Sequence, residues 1–212
     1  MDTQIWLVRH GETEWNVAGR FQGCKDIPLT DEGFNQAKSL KSRFEHGFDS
    51  IYTSPLTRAM QTAQVICEDD NMEPIIENGI REVDFGAWEG LTITQIAENY
   101  PNEFDFWRTD EEIGYLVGGD LSIKCASIRA KDAILNIAKE NSGKKVIIVA
   151  HGGIIKAGLI GLFNWNMTMY HKMILGNTSV SKISFDKELN ARLISLNDTS
   201  HLPINYELKS FV

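Results

Sequence analysis

The chain holds only three cysteines, Cys24, Cys67 and Cys125, an odd number with no zinc-ligand spacing among them. A disulfide scaffold and a structural zinc site are therefore poor readings, and a reducing compartment is favoured. No apolar run approaches membrane-spanning length, and the amino terminus lacks a basic segment followed by an apolar one, so neither a transmembrane helix nor a signal peptide is expected. Positive charge is also in short supply. Twenty-one Lys and Arg stand against 29 Asp and Glu, a formal net charge of −8 with a pI near 5.1. That balance argues against nucleic acid and against an anionic membrane surface as partners. Internal repeats, low-complexity tracts and linkers are missing too. What remains is an ordinary globular composition: 212 residues, 42% hydrophobic and 24% charged. One core of good size and a single domain over 1–212, in the cytoplasm, are expected.

Two stretches organise the chain. Ile5-Trp6-Leu7-Val8 is a short apolar run of the kind that forms a strand buried on both faces, and it stops at Arg9-His10-Gly11-Glu12-Thr13. Val146-Ile147-Ile148-Val149-Ala150 repeats the pattern and ends in His151-Gly152-Gly153. Open α/β sheets place ligands at the carboxyl ends of their parallel strands. Two strands that each deliver an imidazole to one edge suggest one site.

Between these stretches, helix and strand signals alternate. Thr30 reads as the N-cap of a helix with Phe34, Ala37, Leu40 and Phe44 on its buried stripe, ending at His46-Gly47. Ser50–Thr53 is a strand, and Ser54-Pro55 reads as the cap and first residue of the next helix, putting Arg58 in its opening turn. Glu73–Ile76 is an edge segment leading to Ile80–Gly90, a loop dense in acids, aromatics and glycine. Thr92 and Gln95 have capping-box spacing for a helix that stops before Pro101. From Asn102 to Gly119 the pattern is irregular and reads as an insertion, about 99–121, that could cover a site. A long helix with Ile123, Ala126, Ala130, Ala133, Ile134 and Ile137 on one face follows, then the His151 strand, a helix over Ile154–Phe163, and two strands near 178–185 and 191–196. The tail begins at Leu202. The fold class is α/β with a mainly parallel sheet.

The strand-end histidines must be weighed against metal and phosphate. Metal binding calls for further ligands, and Arg9 beside His10 works against it. A phosphate dianion suits the residues better: Arg9, Arg58 and two helix starts can supply donors and positive charge. Neutral imidazole can attack phosphorus, and Glu82 is the outstanding candidate to protonate the leaving oxygen. Singly, each residue has a bland explanation as a capped strand end, a solvated helix start, a loop carboxylate paired with Arg81, or a turn. Jointly, four such groups at strand ends and helix starts point to one site.

The same residues carry a resemblance. Arg9–Thr13, Pro28-Leu29-Thr30, Ser54-Pro55-Leu56-Thr57-Arg58-Ala59, Phe85-Gly86-Ala87-Trp88-Glu89-Gly90, His151-Gly152-Gly153 and Asn197–Leu202 resemble, in order, the signatures of the histidine phosphatase superfamily. The resemblance implies a three-layer α/β/α fold with an insertion over the active site. It implies that His10 takes the phosphoryl group while Arg9, Arg58 and His151 hold its oxygens. Asn16, Gln22, Gly23, Gly152 and the backbone at Thr178 would add contacts, and Glu82 would act as acid and then as base. No metal and no organic cofactor are implied, and the partner is a small phosphorylated metabolite bound by a monomer or homodimer. His10 would be oriented by its other ring nitrogen donating to a backbone carbonyl.

Phosphatase and phosphoglycerate mutase share that phosphoenzyme. The mutase branch resembles a chain with a basic insert, whereas Asp105, Asp110, Glu111 and Glu112 make this one acidic, with Arg108 its only base between Pro101 and Gly119. Acids over the pocket would disfavour a substrate with two charged ends, so a phosphomonoesterase is expected, with the mutase as alternative. A non-catalytic phosphate-binding module is the second alternative, but His10, Arg58, Glu82 and His151 are all present. Gly118-Gly119-Asp120-Leu121 departs from the Gly-Gly-Glu-Ser of many phosphatase relatives.

Overall fold

The computed structural model describes residues 1–44, 47–70, 72–116 and 118–203. Its centre is a six-stranded sheet of β1 (Thr3–Arg9), β2 (Ser50–Thr53), β3 (Ile75–Ile76), β4 (Lys145–Ala150), β5 (Val180–Phe185) and β6 (Ala191–Asp198). The strand order is β3-β2-β4-β1-β5-β6. β3, β2, β4 and β1 run parallel to one another, while β5 is antiparallel to both β1 and β6.

The continuous apolar runs of β1 and β4 follow from burial on both faces. Ile5 and Leu7 with Val146, Ile148 and Ala150 point into one core. Val8 with Ile147 and Val149 points into the other. The second core is closed by α2 (Asp31–Phe44) and α3 (Thr57–Ile66) through Leu40, Phe44, Ala59, Ala63 and Ile66. On the first side lie α6 (Ile123–Glu140) and α7 (Gly152–Phe163), through Ala126, Ala130, Ile134, Ile154, Ala157 and Ile160. Helices on both faces of a mostly parallel sheet leave one strand-end edge for a site. Among the described residues, no helix is long and apolar enough to cross a membrane.

Three local expectations need correction or placement. Ser54-Pro55 does not open a helix: α3 begins at Thr57, and Asp26 reaches across to accept from Thr57 N (2.7 Å) and Thr57 Oγ1 (2.7 Å). The insertion is more regular than its pattern suggests. After α4 (Ile93–Asn99), which has the expected Thr92–Gln95 capping box, α5 runs from Pro101 to Thr109. Its apolar face is narrow, which hides the period. Trp107 nevertheless enters the main core against Trp88 and Phe21, with centroids 5.3 and 5.9 Å away. The helix end expected at His46 and most of the tail after Leu202 lie outside the described residues, and α2 is described to Phe44.

Candidate active site

The carboxyl ends of β1 and β4 bring His10 and His151 together, ring centroids 5.1 Å apart. Strand pairing fixes the first from both sides. His10 N donates to Ala150 O (3.0 Å), and His10 O accepts from Thr178 N (3.2 Å) and Asn177 Nδ2 (3.1 Å). Gly11 is required next, because a β-carbon there would lie 2.5 Å from Gly33 O. The loop after β1 thus runs backbone to backbone against the start of α2.

The imidazole of His10 donates from Nδ1 to Gly11 O (2.7 Å), which leaves Nε2 as an acceptor, and Arg58 Nε donates to it at 3.2 Å. Arg58 is fully buried, held by Gly23 O (2.8 Å) and Lys25 O (2.7 Å). Burial brings its pKa down to about 10, with Glu82 and Asp26 opposing, so it stays charged at neutral pH. Burial, then Arg58, then Arg9 push His10 well below the ordinary imidazole value. His151 is lowered by burial first and then by Arg58, His10 and Arg9. Both rings are neutral at pH 7. His151 Nε2 lies 2.7 Å from Ser54 Oγ, and its Nδ1 has no hydrogen-bond partner among the described residues.

Glu82 faces this pair from the loop before α4. Its Oε1 accepts from Val83 N (2.8 Å) and Ile154 N (2.7 Å), and its Oε2 from Gly153 N (3.1 Å). The start of α7 therefore serves a protein carboxylate, and α3 does the same with Asp26. Expecting both helix starts to cradle phosphate was wrong for these amides, since the chain supplies its own anions there. Thr178 is a second correction. Its N–H donates to His10 O, so it steadies the histidine from behind, and its Oγ1 is taken up with Asn177 O and His201 Nε2.

The remaining expected residues do converge. Arg9, His10, Asn16, Gln22, Gly23, Arg58, Glu82, Gly152 and Gly153 line one pocket, with Arg20 and Phe85. Arg9 is anchored by donating to Leu175 O, and Asn16 Oδ1 accepts from Asn177 Nδ2 (3.1 Å) and Thr13 N (3.1 Å). Glu82 is the only carboxylate in this lining. None of the insertion's four acids is in that lining. Asp110 is spent on the amides of Glu112, Ile113 and Gly114, and Glu112 lines a separate groove with Lys124 and Lys131.

Asp120 supports the Glu82 loop. It accepts from Asp84 N (2.8 Å) and pairs with Arg129 Nη2 (2.9 Å), whose Nη1 donates to Gly79 O (3.0 Å) and Arg81 O (2.8 Å). A β-carbon at Gly119 would lie 2.2 Å from Asp84 Oδ2, so Asp84 would have to shift to admit a larger residue. Sequence reasoning missed Ser54, Asn177 and Arg129 as positioners. The polar triple Asn177-Thr178-Ser179 ahead of an apolar strand was the available signal for the second. Spacing along the chain also hid one cluster: Cys24, Asp84 and Glu89 offer ligand atoms within 4.8 Å of one another. Their atoms hold the loop instead, Glu89 accepting from Cys24 N and Asp84 from Gly86 N. Burial pushes the Cys24 thiol up to about 12, far from a metal-binding thiolate.

Fold and site together define an α/β protein whose strand-end pocket is lined by guanidinium groups and a neutral imidazole. The chain belongs to the histidine phosphatase superfamily (branch 1), whose family model matches residues 5–199. It is 34% identical over 201 residues to phosphoserine phosphatase 1 of Hydrogenobacter thermophilus, covering 94% of each chain. A metal-independent phosphoserine phosphatase of Arabidopsis thaliana is 35% identical over 158 residues, 73% of this chain and 66% of that one. The crystal structures of Entamoeba histolytica phosphoserine phosphatase, with phosphoserine in a mutant and with 3-phosphoglyceric acid, superpose with TM-scores of 0.88 and 0.87. Identity is 37% in both, over 95% of this chain and all of that one.

Proposed function

We propose that this protein is a metal-independent phosphomonoesterase that works through phosphohistidine on His10. The observation that carries this is the state of His10: neutral, tethered at Nδ1, with Nε2 beside a charged guanidinium and across from a carboxylate. As Arg58 Nε–H turns from Nε2 to a phosphoryl oxygen, the freed Nε2 lone pair attacks phosphorus and the ester oxygen departs with a proton from Glu82 Oε2, the oxygen with fewer amide donors. Gly11 O supports the cationic ring that results. Glu82 then takes a proton from water as its oxygen attacks phosphorus, the P–N bond breaks, and its electrons return to Nε2. Arg9, Arg58 and Nδ1–H of His151 hold the equatorial oxygens and carry the charge a metal would otherwise offset.

The named activity of the relatives supports phosphoserine and similar phosphorylated three-carbon acids as the substrate class. Arg20 in the pocket lining, from which the insertion's acids are absent, supports room for a second negative charge on the substrate. Three cysteines with no disulfide among them suit a reducing, cytoplasmic setting.

The test is phosphate release without added metal, against a panel including phosphoserine and 3-phosphoglycerate, with conversion of 3- to 2-phosphoglycerate followed in parallel with bisphosphoglycerate present. Release with a preferred monoester is expected, and EDTA should not reduce it. Isomer conversion without release would make the protein a mutase, and metal-restorable loss in EDTA would overturn the phosphohistidine scheme.

A further inference from the structure

Behind Glu82 lie two polar groups that the scheme above does not use. Lys156, on α7 one turn beyond Gly152, is only 5% exposed. Among the described residues no carboxylate comes within ion-pair distance of its ammonium. The ammonium instead lies 5.1 Å from the ring centroid of Tyr170. Tyr170 is 1% exposed, and its hydroxyl has no hydrogen-bond partner among the described residues. A β-carbon on Gly153 would lie 2.6 Å from Tyr170 Oη and 2.7 Å from Glu82 Oε1, so the two oxygens share one small volume. An unpaired buried ammonium and an unsatisfied buried hydroxyl both cost stability, and apolar residues would remove both costs.

We infer that Lys156 and Tyr170 are a positioning pair for Glu82, the ammonium stabilising the carboxylate left when its proton passes to the leaving oxygen and the phenol bounding the space that carboxyl occupies. This rests on the acid role proposed for Glu82. The charged groups acting on Lys156 are Arg9 from β1 and Glu82 from its loop, and His171 beside Tyr170 faces it too. Burial lowers Lys156 to about 8, so its charge is lost as pH rises through that value. His171 is lowered to about 4, chiefly by burial, and stays neutral across that range. Tyr170 is raised by burial and by Glu82 and remains a donor.

The test compares kcat/KM, which reports the phosphorylation step, for an alkyl and an aryl phosphate across pH 6 to 10. An aryl oxide leaves without an acid, so only the alkyl ester senses this pair. Lys156→Met is expected to lose about tenfold on the alkyl ester and under about twofold on the aryl ester. Tyr170→Phe should lose about threefold with the same selectivity. Lys156→Arg should keep alkyl turnover and move its alkaline decline upward, because the guanidinium does not titrate there. Equal losses on both esters, or a decline near pH 8 unchanged in Lys156→Arg, would overturn the inference. Glu82→Gln is measured alongside. If it shows no alkyl–aryl split, the acid role itself fails; if it does and the Lys156 variants do not, only the pair fails.

Discussion

The ends of β1 and β4 lie side by side, Arg9 paired with Ala150, and each is followed by histidine and glycine. Their imidazoles are nevertheless held by opposite nitrogens. His10 is tied at Nδ1 by the carbonyl of the very next residue, and its Nε2 faces Arg58. His151 is tied at Nε2 by Ser54, 97 residues away, and its Nδ1 is left over. Both rings are buried and neutral for the same physical reasons, so position on the sheet edge does not distinguish them. The second partner does: a carbonyl at Nδ1 can only accept, which leaves Nε2 of His10 without a proton, whereas the hydroxyl at Nε2 of His151 can donate or accept.

The contrast can be broken at each end. His10→Ala should remove phosphate release by about 10⁴-fold or more, with no acid-quenched phosphoenzyme. His151→Ala should cost about 10²- to 10³-fold, the scale of a lost charge-stabilising donor, yet still form phosphoenzyme. Phosphoenzyme in the first variant, or matching losses in both, would erase the distinction. Ser54→Ala frees His151 without touching His10, and about a tenfold loss of kcat/KM is expected from one buried hydrogen bond. No loss would mean that packing alone orients His151.

The pH profile sharpens what the two ends share. Their pKa values lie below the ordinary imidazole value, so the neutral form persists as pH falls through 6.5 and is lost only further down. The acid limb of kcat/KM on an aryl phosphate should therefore fall below pH 6.5; a limb at or above it would mean that one ring is charged in the free protein. The smallest effect concerns stability. His171 and His201 are each lowered to about 4, chiefly by burial. The unfolded chain takes up protons first, so stability present above pH 6.5 declines as pH falls toward 4. Urea midpoints at pH 7 and pH 5 measure this, and identical midpoints would refute it.

Legibility from sequence tracked locality. The β1 and β4 runs, the α6 stripe and the Thr92–Gln95 capping box were readable because each is decided within one element. The convergence of Arg9, His10, Arg58 and Glu82 on one pocket was readable from strand-end placement. Ser54 was misread because the hydroxyl that suits a helix start bonds a histidine on another strand, while Asp26, distant in sequence, takes the capping role. Thr178 and the α7 amides were misread for a related reason: they donate toward the site, but protein acceptors reach them first. The acids of α5 and the loop after it were counted as a field over the pocket, although Asp110 closes its own turn and none of the four is in the pocket lining.

The three amides that hold Glu82 have a spectroscopic consequence. Gly153 and Ile154 belong to α7, and in the proposed scheme the charge they face changes twice in each cycle. Their ¹⁵N–¹H resonances should move together whenever that carboxyl gains or loses its proton, and Val83 should move with them. The protein thus carries its own titration indicator, one that reads the acid directly in resting and phosphate-bound states without altering an atom of it.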